Sequence, residues 1–125
     1  MVGYVDNIEK ITEENANFRQ VLYTGKYSQL VVMSLQAGED IGMEVHPTVD
    51  QFFRIEEGEG KVIMNGEEAA FGPGSAIVVP AGTQHNVIAE TPVKLYTIYS
   101  PPNHPAGTVH ATKAQAMAAE AEEHR

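Results

Sequence analysis

Glu44 and His46 place a carboxylate and an imidazole two residues apart in the stretch GMEVHPTVDQFFRIEEGEG, Gly42 to Gly60. Two is the period of a β-strand, so a strand over Gly42–His46 turns Glu44 and His46 to one face and Met43 and Val45 to the other. Gln51 opens the next run, QFFRIE, where Arg54 and Glu56 share a face with Phe52 and mark it as the outer one. Gln51, Phe53 and Ile55 then line the inside. In HNVIAE, the residues Asn86, Ile88 and Glu90 share the outer face, which leaves His85, Val87 and Ala89 pointing inward. Four polar side chains, Glu44, His46, Gln51 and His85, are therefore expected in one interior. A buried polar group without a partner costs a few kcal/mol, so the four need each other, water or a metal. Two imidazoles and a carboxylate make the 2-His-1-carboxylate set that suits Fe(II) and leaves positions open for substrate and dioxygen; the same set holds Zn, Mn, Ni or Cu. Gln51 is either a neutral oxygen ligand, weaker than a carboxylate, or an amide that steadies Glu44 or a water. The competing reading makes His46 and His85 hydrogen-bonded core histidines. Without a metal, Glu44 beside two imidazoles is a candidate catalytic acid/base.

The elements that must position these residues are short strands. Candidates are Arg19–Tyr23, Gln29–Gln36, Gly42–His46, Gln51–Glu56, Lys61–Met64, Ala69–Phe71, Ala76–Val79, His85–Ala89 and Val93–Tyr99, separated by turn chemistry such as EEGEG, FGPG and PAG. Asn65-Gly66 is the dipeptide that type I′ hairpin turns favour. A short helical turn fits between Asn7 and Asn17, and a terminal helix fits about 112–123, with Thr112 and Gln115 spaced as a capping box. Many short strands with a lone terminal helix predict a closed sandwich or barrel. No internal repeat or long linker divides the chain, so one domain is expected over residues 1–125, with a barrel at about 28–100. Phe52, Met43 and Val45 fall opposite the polar face. An apolar outer sheet of that kind marks either a homodimer with sheets packed face to face or a surface covered by a terminal segment. The tyrosines of LYTIYS alternate too irregularly to assign a face. Asp50 reads as a loop residue and EEGEG as a solvated acidic turn. His104 and His110, in NHPAGTVH, read as loop residues or as the rim of the barrel mouth. His124 lies in a terminus with no expected role.

The sequence resembles the cupin family. The family's first motif, G-x5-H-x-H-x3-4-E-x6-G, matches in spacing from Gly38 to Gly58, with Glu44 and His46 at the two histidine positions and Gln51 at the glutamate position. The second, G-x5-P-x-G-x2-H-x3-N, matches Gly74, Pro80, Gly82 and His85, with Ala89 in place of the asparagine. The whole is similar to small single-domain cupins, including those likened to mannose-6-phosphate isomerase. The resemblance implies an all-β fold, a double-stranded β-helix or jelly-roll barrel of the RmlC-like type with a short C-terminal helix. It also implies one divalent metal ion inside the barrel, held in the family by three histidines and a glutamate. Here the corresponding set is Glu44, His46, Gln51 and His85, so two of the four ligand types differ. Expected functions are a dioxygenase-type oxidation or an isomerisation of a sugar or carbonyl compound, or else binding of a small molecule without catalysis, as in sensor domains.

Composition restricts the partners. Lys and Arg number 8 against 17 Asp and Glu, for a net charge of −9. Such a surface repels phosphate backbones and anionic lipid, which argues against nucleic acid and membrane. The absence of cysteine excludes disulfides and zinc–thiolate sites. There is no apolar run near the ~20 residues of a membrane span and no signal-peptide pattern, so a cytoplasmic location is expected.

Overall fold

The computed structural model describes residues 1–123. The order is α1 (Ile8–Glu14), β1 (Arg19–Thr24), β2 (Gln29–Leu35), β3 (Asp50–Glu57), β4 (Gly60–Met64), β5 (Glu67–Phe71), β6 (Ala76–Val79), β7 (His85–Ala89), β8 (Val93–Ser100), β9 (Val109–His110) and α2 (Lys113–Glu123). Two antiparallel sheets face each other, one in the order β6-β3-β8-β2-β1-β9 and the other in the order β5-β4-β7. This is the jelly-roll arrangement, with a short helix at the C-terminal end of the described residues. His124, for which no role is expected, lies outside them. Among the described residues no helix is long and apolar enough to cross a membrane.

The expected strands form within a residue or two of their predicted bounds, with one exception. Gly42–His46 is not a regular strand. Asp40 pairs with Ile88 and Glu44 with His85, so four steps along the first segment match three along β7. The extra residue is a bulge, at which Gly42 takes φ +89°; beyond it Met43 and Val45 are exposed while Glu44 and His46 are half-buried, so the two-residue alternation holds over these four residues. The two-residue β9 had no strand pattern of its own to predict it.

The inner face of the large sheet is layered. Gln29 on β2, Tyr99 on β8 and Gln51 on β3 stand side by side in one cross-strand row. The next row is Val31, Thr97 and Phe53, and the one after it Met33, Leu95 and Ile55. All nine are buried. The core therefore has an apolar end and a polar end. On the small sheet, Met64, His85 and Glu44 form the matching end row. β8 alternates buried and half-buried positions without a break from Val93 to Tyr99, so the face of LYTIYS is regular after all. Tyr99 lies inside, on the phase that Lys94 marks by contrast.

Local chemistry explains the connections. Asn65 at φ 49° and Gly66 at φ 83° make the tight β4–β5 turn, as both central residues of a type I′ turn require. Gly58, the last glycine of the first motif, has φ +96°, and a Cβ there would collide with the Pro92 carbonyl oxygen and sit 2.9 Å from Val93 Cα. The Thr112 hydroxyl accepts from Gln115 N at 3.2 Å, while the Gln115 side chain reaches past Thr112 to take Ala111 N at 2.9 Å. The box therefore closes one residue further back than the simplest pattern.

α2 is tied to the barrel at its start by Lys113, whose ammonium binds the Asp40 carboxylate, and Asp40 also accepts from Asn86 Nδ2 at 3.0 Å. The Lys113 hydrogen bond is the main reason that the Asp40 carboxyl titrates below its usual 3.8. A lowered carboxylate pKa stabilises the fold above the ordinary value, and that contribution is lost as pH falls through the folded-state value. Asp40→Asn is expected to cost about 1 kcal/mol at neutral pH. Its Tm deficit against the parent protein, measured by thermal melts, should narrow as the buffer is taken below 3.8; a deficit independent of pH would rule out the ion pair as its source.

Candidate metal centre

The site is built where the two polar ends meet. Backbone pairing fixes Glu44 and His85 against each other: Glu44 N donates to the His85 carbonyl at 2.8 Å and His85 N to the Glu44 carbonyl at 2.9 Å. His46 is held next, through its carbonyl, which accepts from Gly82 N at 2.9 Å. The second motif's Pro80-Ala81-Gly82 turn therefore buttresses the first motif's His46. The Asp50 carboxylate accepts from Ala81 N at 2.8 Å and steadies the same turn from β3.

These constraints bring Glu44, His46 and His85 together, with one ligand atom of each within 4.8 Å of the others. Glu44 Oε2 is 2.9 Å from His46 Nε2, yet Nε2 makes no hydrogen bond. The contact is one of proximity without alignment. Two ligand atoms about 2.1 Å from a shared ion and at right angles to it stand about 3 Å apart, so the spacing suits neighbouring ligands. The His46 and His85 rings are 5.5 Å apart and tilted by 54°.

His85 is set up as an acceptor. Its Nδ1 is 3.0 Å from the Thr83 carbonyl oxygen, which can only accept, so Nδ1 carries the proton and Nε2 keeps its lone pair. Burial lowers the His85 pKa, opposed by the Thr83 bond and assisted by His46, which favours the neutral form that a metal requires. Gln51 comes from β3 on the facing sheet. Its Nε2 donates to Thr97 Oγ1 at 3.0 Å and its side chain also hydrogen-bonds Tyr99, which leaves Oε1 bare. His85 Nε2 and Gln51 Oε1 are thus buried acceptors without a hydrogen-bond partner, and His46 Nε2 is buried without an aligned one. They come from three of the four positions at which the family motif places ligands. The donor set fits a divalent ion.

A cavity of about 350 Å³ opens beside this cluster, lined by Met43, Glu44, Val45, His46, Asn103, His104 and Glu120. Met43 and Val45 were expected on the face opposite Glu44 and His46. The structure keeps that separation, with Glu44 and His46 half-buried in the cluster and Met43 and Val45 exposed, although all four border the cavity; Phe52 lies on the outer face of the large sheet. For His104 the structure favours the rim of the barrel mouth over a plain loop position. His104 lines the cavity and contacts Tyr99, with Nε2 3.2 Å from the phenol oxygen and the rings edge-on at 5.1 Å. Burial pushes its pKa down to about 3, with Arg19, His110 and His46 acting in the same direction. His110 lies on β9, away from the cavity lining.

Three further residues carried no motif. Tyr99 sits edge-on to His46 at 6.0 Å, and burial raises its pKa well above the usual tyrosine range. Glu120 of α2 forms part of the cavity wall. Arg19, only 2% exposed, reaches Glu120 Oε1 from Nη1 at 3.4 Å. Arg19 and Glu120 are 101 residues apart, and no local pattern pairs such distant charges.

Comparison with known proteins agrees with the geometry. Residues 31–99 match the Cupin_2 family, described as "Cupin domain", and the chain belongs to the cupin family. It is 56% identical to the uncharacterized protein YrkC of Bacillus subtilis (strain 168) over 125 aligned residues, covering 94% of this chain and 67% of YrkC. Among solved structures, BH2720 of Bacillus halodurans superposes with a TM-score of 0.89 at 51% identity, over 92% of this chain and 93% of that one. An RmlC-like cupin of Shewanella frigidimarina shares the fold with a TM-score of 0.65 at 23% identity, over 69% and 77% of the two chains.

Proposed function

We propose that this cupin is a metal-dependent enzyme that holds one divalent ion through Glu44, His46, Gln51 and His85 and acts on a small oxygenated molecule in the adjoining cavity. The observation that supports this most is the trio of buried ligand atoms without aligned hydrogen bonds. Each costs about 1–3 kcal/mol while it stays unpaired, and a single cation would satisfy them together. The ion, when bound, would supply Lewis-acid polarisation of a substrate oxygen. Glu44 borders the cavity and is the chain's own group placed to accept or return a substrate proton. Met43 and Val45 give the mouth an apolar edge, and Asn103 supplies a neutral hydrogen-bonding group. Water takes about 30 Å³ per molecule in the liquid, so 350 Å³ suits a molecule of roughly monosaccharide size. Dioxygenase-type oxidation and isomerisation of a sugar or carbonyl compound both match that space.

A second reading is binding without turnover, favoured by the position of Glu120. An occupant of the cavity would touch α2, which is held by the Arg19 and Lys113 ion pairs and the buried Ala116, and could shift it. Oxygen uptake by the Fe(II)-loaded protein across diketones, thiols and phenols separates oxidation from the other readings. Conversion of aldoses or ketoses marks isomerisation, and saturable sugar binding without product would favour the binding module.

Metal binding itself is tested after chelation by calorimetric titration with Mn(II), Fe(II), Ni(II), Cu(II) and Zn(II). About one equivalent should bind and raise the Tm, by the equivalent of about 2.7 kcal/mol when free metal is 100 times Kd. His46→Ala and His85→Ala should abolish tight binding, and Gln51→Ala should weaken it. Absence of binding by all five metals would sink the proposal.

Relative to the family's ligand set, Glu44 brings a negative charge and Gln51 removes one, so total ligand charge is preserved while its position changes. Oxygen in place of nitrogen favours Mn(II) and Fe(II) over Cu(II) and Zn(II) modestly. Glu44→His alone lowers ligand charge by one unit and should bind each metal less well than the double variant Glu44→His/Gln51→Glu, which should tighten Zn(II) or Ni(II). Equal affinity of the parent protein and Glu44→His for every metal would show that Glu44 is not a ligand.

The homodimer is part of the same proposal, on altered grounds. Val78, Phe52, Ile98 and Leu30 form one row across β6, β3, β8 and β2 on the outer face of the large sheet, and Val78 is 61% exposed. A second copy packed on this row would cover it. Val78→Glu should shift the protein from dimer to monomer in sedimentation, and a parent protein that already sediments as a monomer refutes the idea.

A further inference from the structure

The loop that carries His104 is fastened from inside. Gln29, fully buried on β2, accepts from Asn103 N at 3.1 Å and from His104 N at 3.0 Å through Oε1. Its Nε2 donates to the His104 carbonyl at 2.7 Å and to Thr24 Oγ1 at 3.0 Å. One amide side chain therefore satisfies three backbone groups of a two-residue segment. Burying a polar side chain at the end of a core row costs free energy unless every group is paired, and here each is. The segment so fixed is the one that presents His104 and Asn103 to the cavity.

The His104 tautomer follows from the same network. Gln51 donates a hydrogen bond to the Tyr99 oxygen. Tyr99 must then place its own hydrogen on an acceptor, and among the described residues the one within hydrogen-bond distance is His104 Nε2 at 3.2 Å. An imidazole that accepts at Nε2 while neutral carries its proton on Nδ1. Thr97, Gln51, Tyr99 and His104 form one chain of hydrogen bonds, from the proposed ligand Gln51 to the cavity wall.

We propose that His104 is a ligand-contacting residue: a neutral imidazole, protonated at Nδ1, that donates a hydrogen bond to one oxygen of a substrate with at least two oxygen functions, another of which meets the metal. Tyr99 and Gln29 are the positioning residues, the first setting the tautomer and the second the place of the ring. The substrate half of this inference rests on the metal reading above, while the tautomer half stands on the protein alone. A neutral imidazole donor polarises a carbonyl without bringing a charge that the ion would repel, and it leaves proton removal to Glu44.

The test has two arms on the full-length protein. In the metal-free arm, imidazole ¹⁵N NMR with the His104 signals assigned by their loss in His104→Gln should show a neutral ring protonated at Nδ1. Tyr99→Phe should move the tautomer equilibrium toward Nε2–H, which a merely structural tyrosine would not do. An Nε2–H ring in the parent protein overturns the proposal. In the second arm, Co(II)-loaded protein is titrated with acetohydroxamate, which offers two oxygens, and with azide, which offers none. His104→Ala and Gln29→Leu should weaken acetohydroxamate about tenfold and leave Co(II) and azide affinities unchanged, while His104→Gln, which keeps an N–H donor, should restore most of the loss. Unchanged acetohydroxamate affinity in His104→Ala overturns the proposal, as does loss of Co(II) itself in that variant. If the parent protein binds no Co(II), the metal reading fails together with the substrate half, and the metal-free arm still decides the tautomer.

Discussion

The two backbone hydrogen bonds between Glu44 and His85 are the constraint on which the site depends. They join the irregular segment before β3 to the small sheet at the residue that ends its polar row. In an antiparallel pair of this kind the two Cα atoms are held about 5.5 Å apart, so neither side chain is free to drift from the other. His46 follows at a fixed offset and is caught by the Pro80–Gly82 turn. The second motif therefore does more than supply His85. Its turn holds the backbone of the first motif, and the two halves of the pattern are mechanically one unit.

The barrel's interior is graded along its strands, and this grading separates stability from chemistry. The rows containing Phe53, Leu95, Ile55, Met33 and Val31 are fully buried and, but for Thr97, apolar, at about 25 cal/mol per Å² of apolar surface removed from water. The row Gln29–Tyr99–Gln51 faces the other end and is held by hydrogen bonds instead. The buried atoms of His46, Gln51 and His85 that lack aligned hydrogen bonds cluster at the polar end, in a protein whose apolar interior can bear their cost. Asn86, on the outer phase of β7, shows the same logic. It is buried, and its Nδ2 is paired to the Asp40 carboxylate at 3.0 Å.

Strand identity was legible because charge marks the outer face: Arg54 and Glu56 on β3 and Glu90 after β7 fixed the phases that put Gln51 and His85 inside. The same rule, begun at Lys94, gives the phase of β8 and puts Tyr99 inside. The Gly42–His46 segment forms no regular strand because a bulge at Gly42 interrupts its pairing with β7, yet the two-residue pattern from Met43 to His46 still holds in space. Gln29, Arg19 and Glu120 were illegible for a different cause, and of His104 only the place at the rim was legible. Their partners lie 75 or 101 residues away, and they come together only once β2, β8 and α2 are in place. Periodicity reports what a residue's own strand does and carries no information on such distant pairs.

The exchange of Glu44 and Gln51 relative to the family pattern has an energetic meaning beyond the choice of metal. Gln51 is 2% exposed, deep in the large sheet between Thr97 and Tyr99, where a carboxylate without an ion would lose its hydration and force protonation or unfolding. Glu44 has a side chain 20% exposed and borders the cavity, where water can reach it. Placing the charge at position 44 lets the chain keep the same total ligand charge while leaving a metal-free barrel whose deepest polar residue is neutral and half satisfied. The remaining strain is confined to lone pairs without partners, each about 1–3 kcal/mol, instead of a buried anion costing several kcal/mol. On the proposed metal reading, the fold would thus be less dependent on its ion than one with the carboxylate at position 51, and the ion's affinity would draw chiefly on relieving those acceptors.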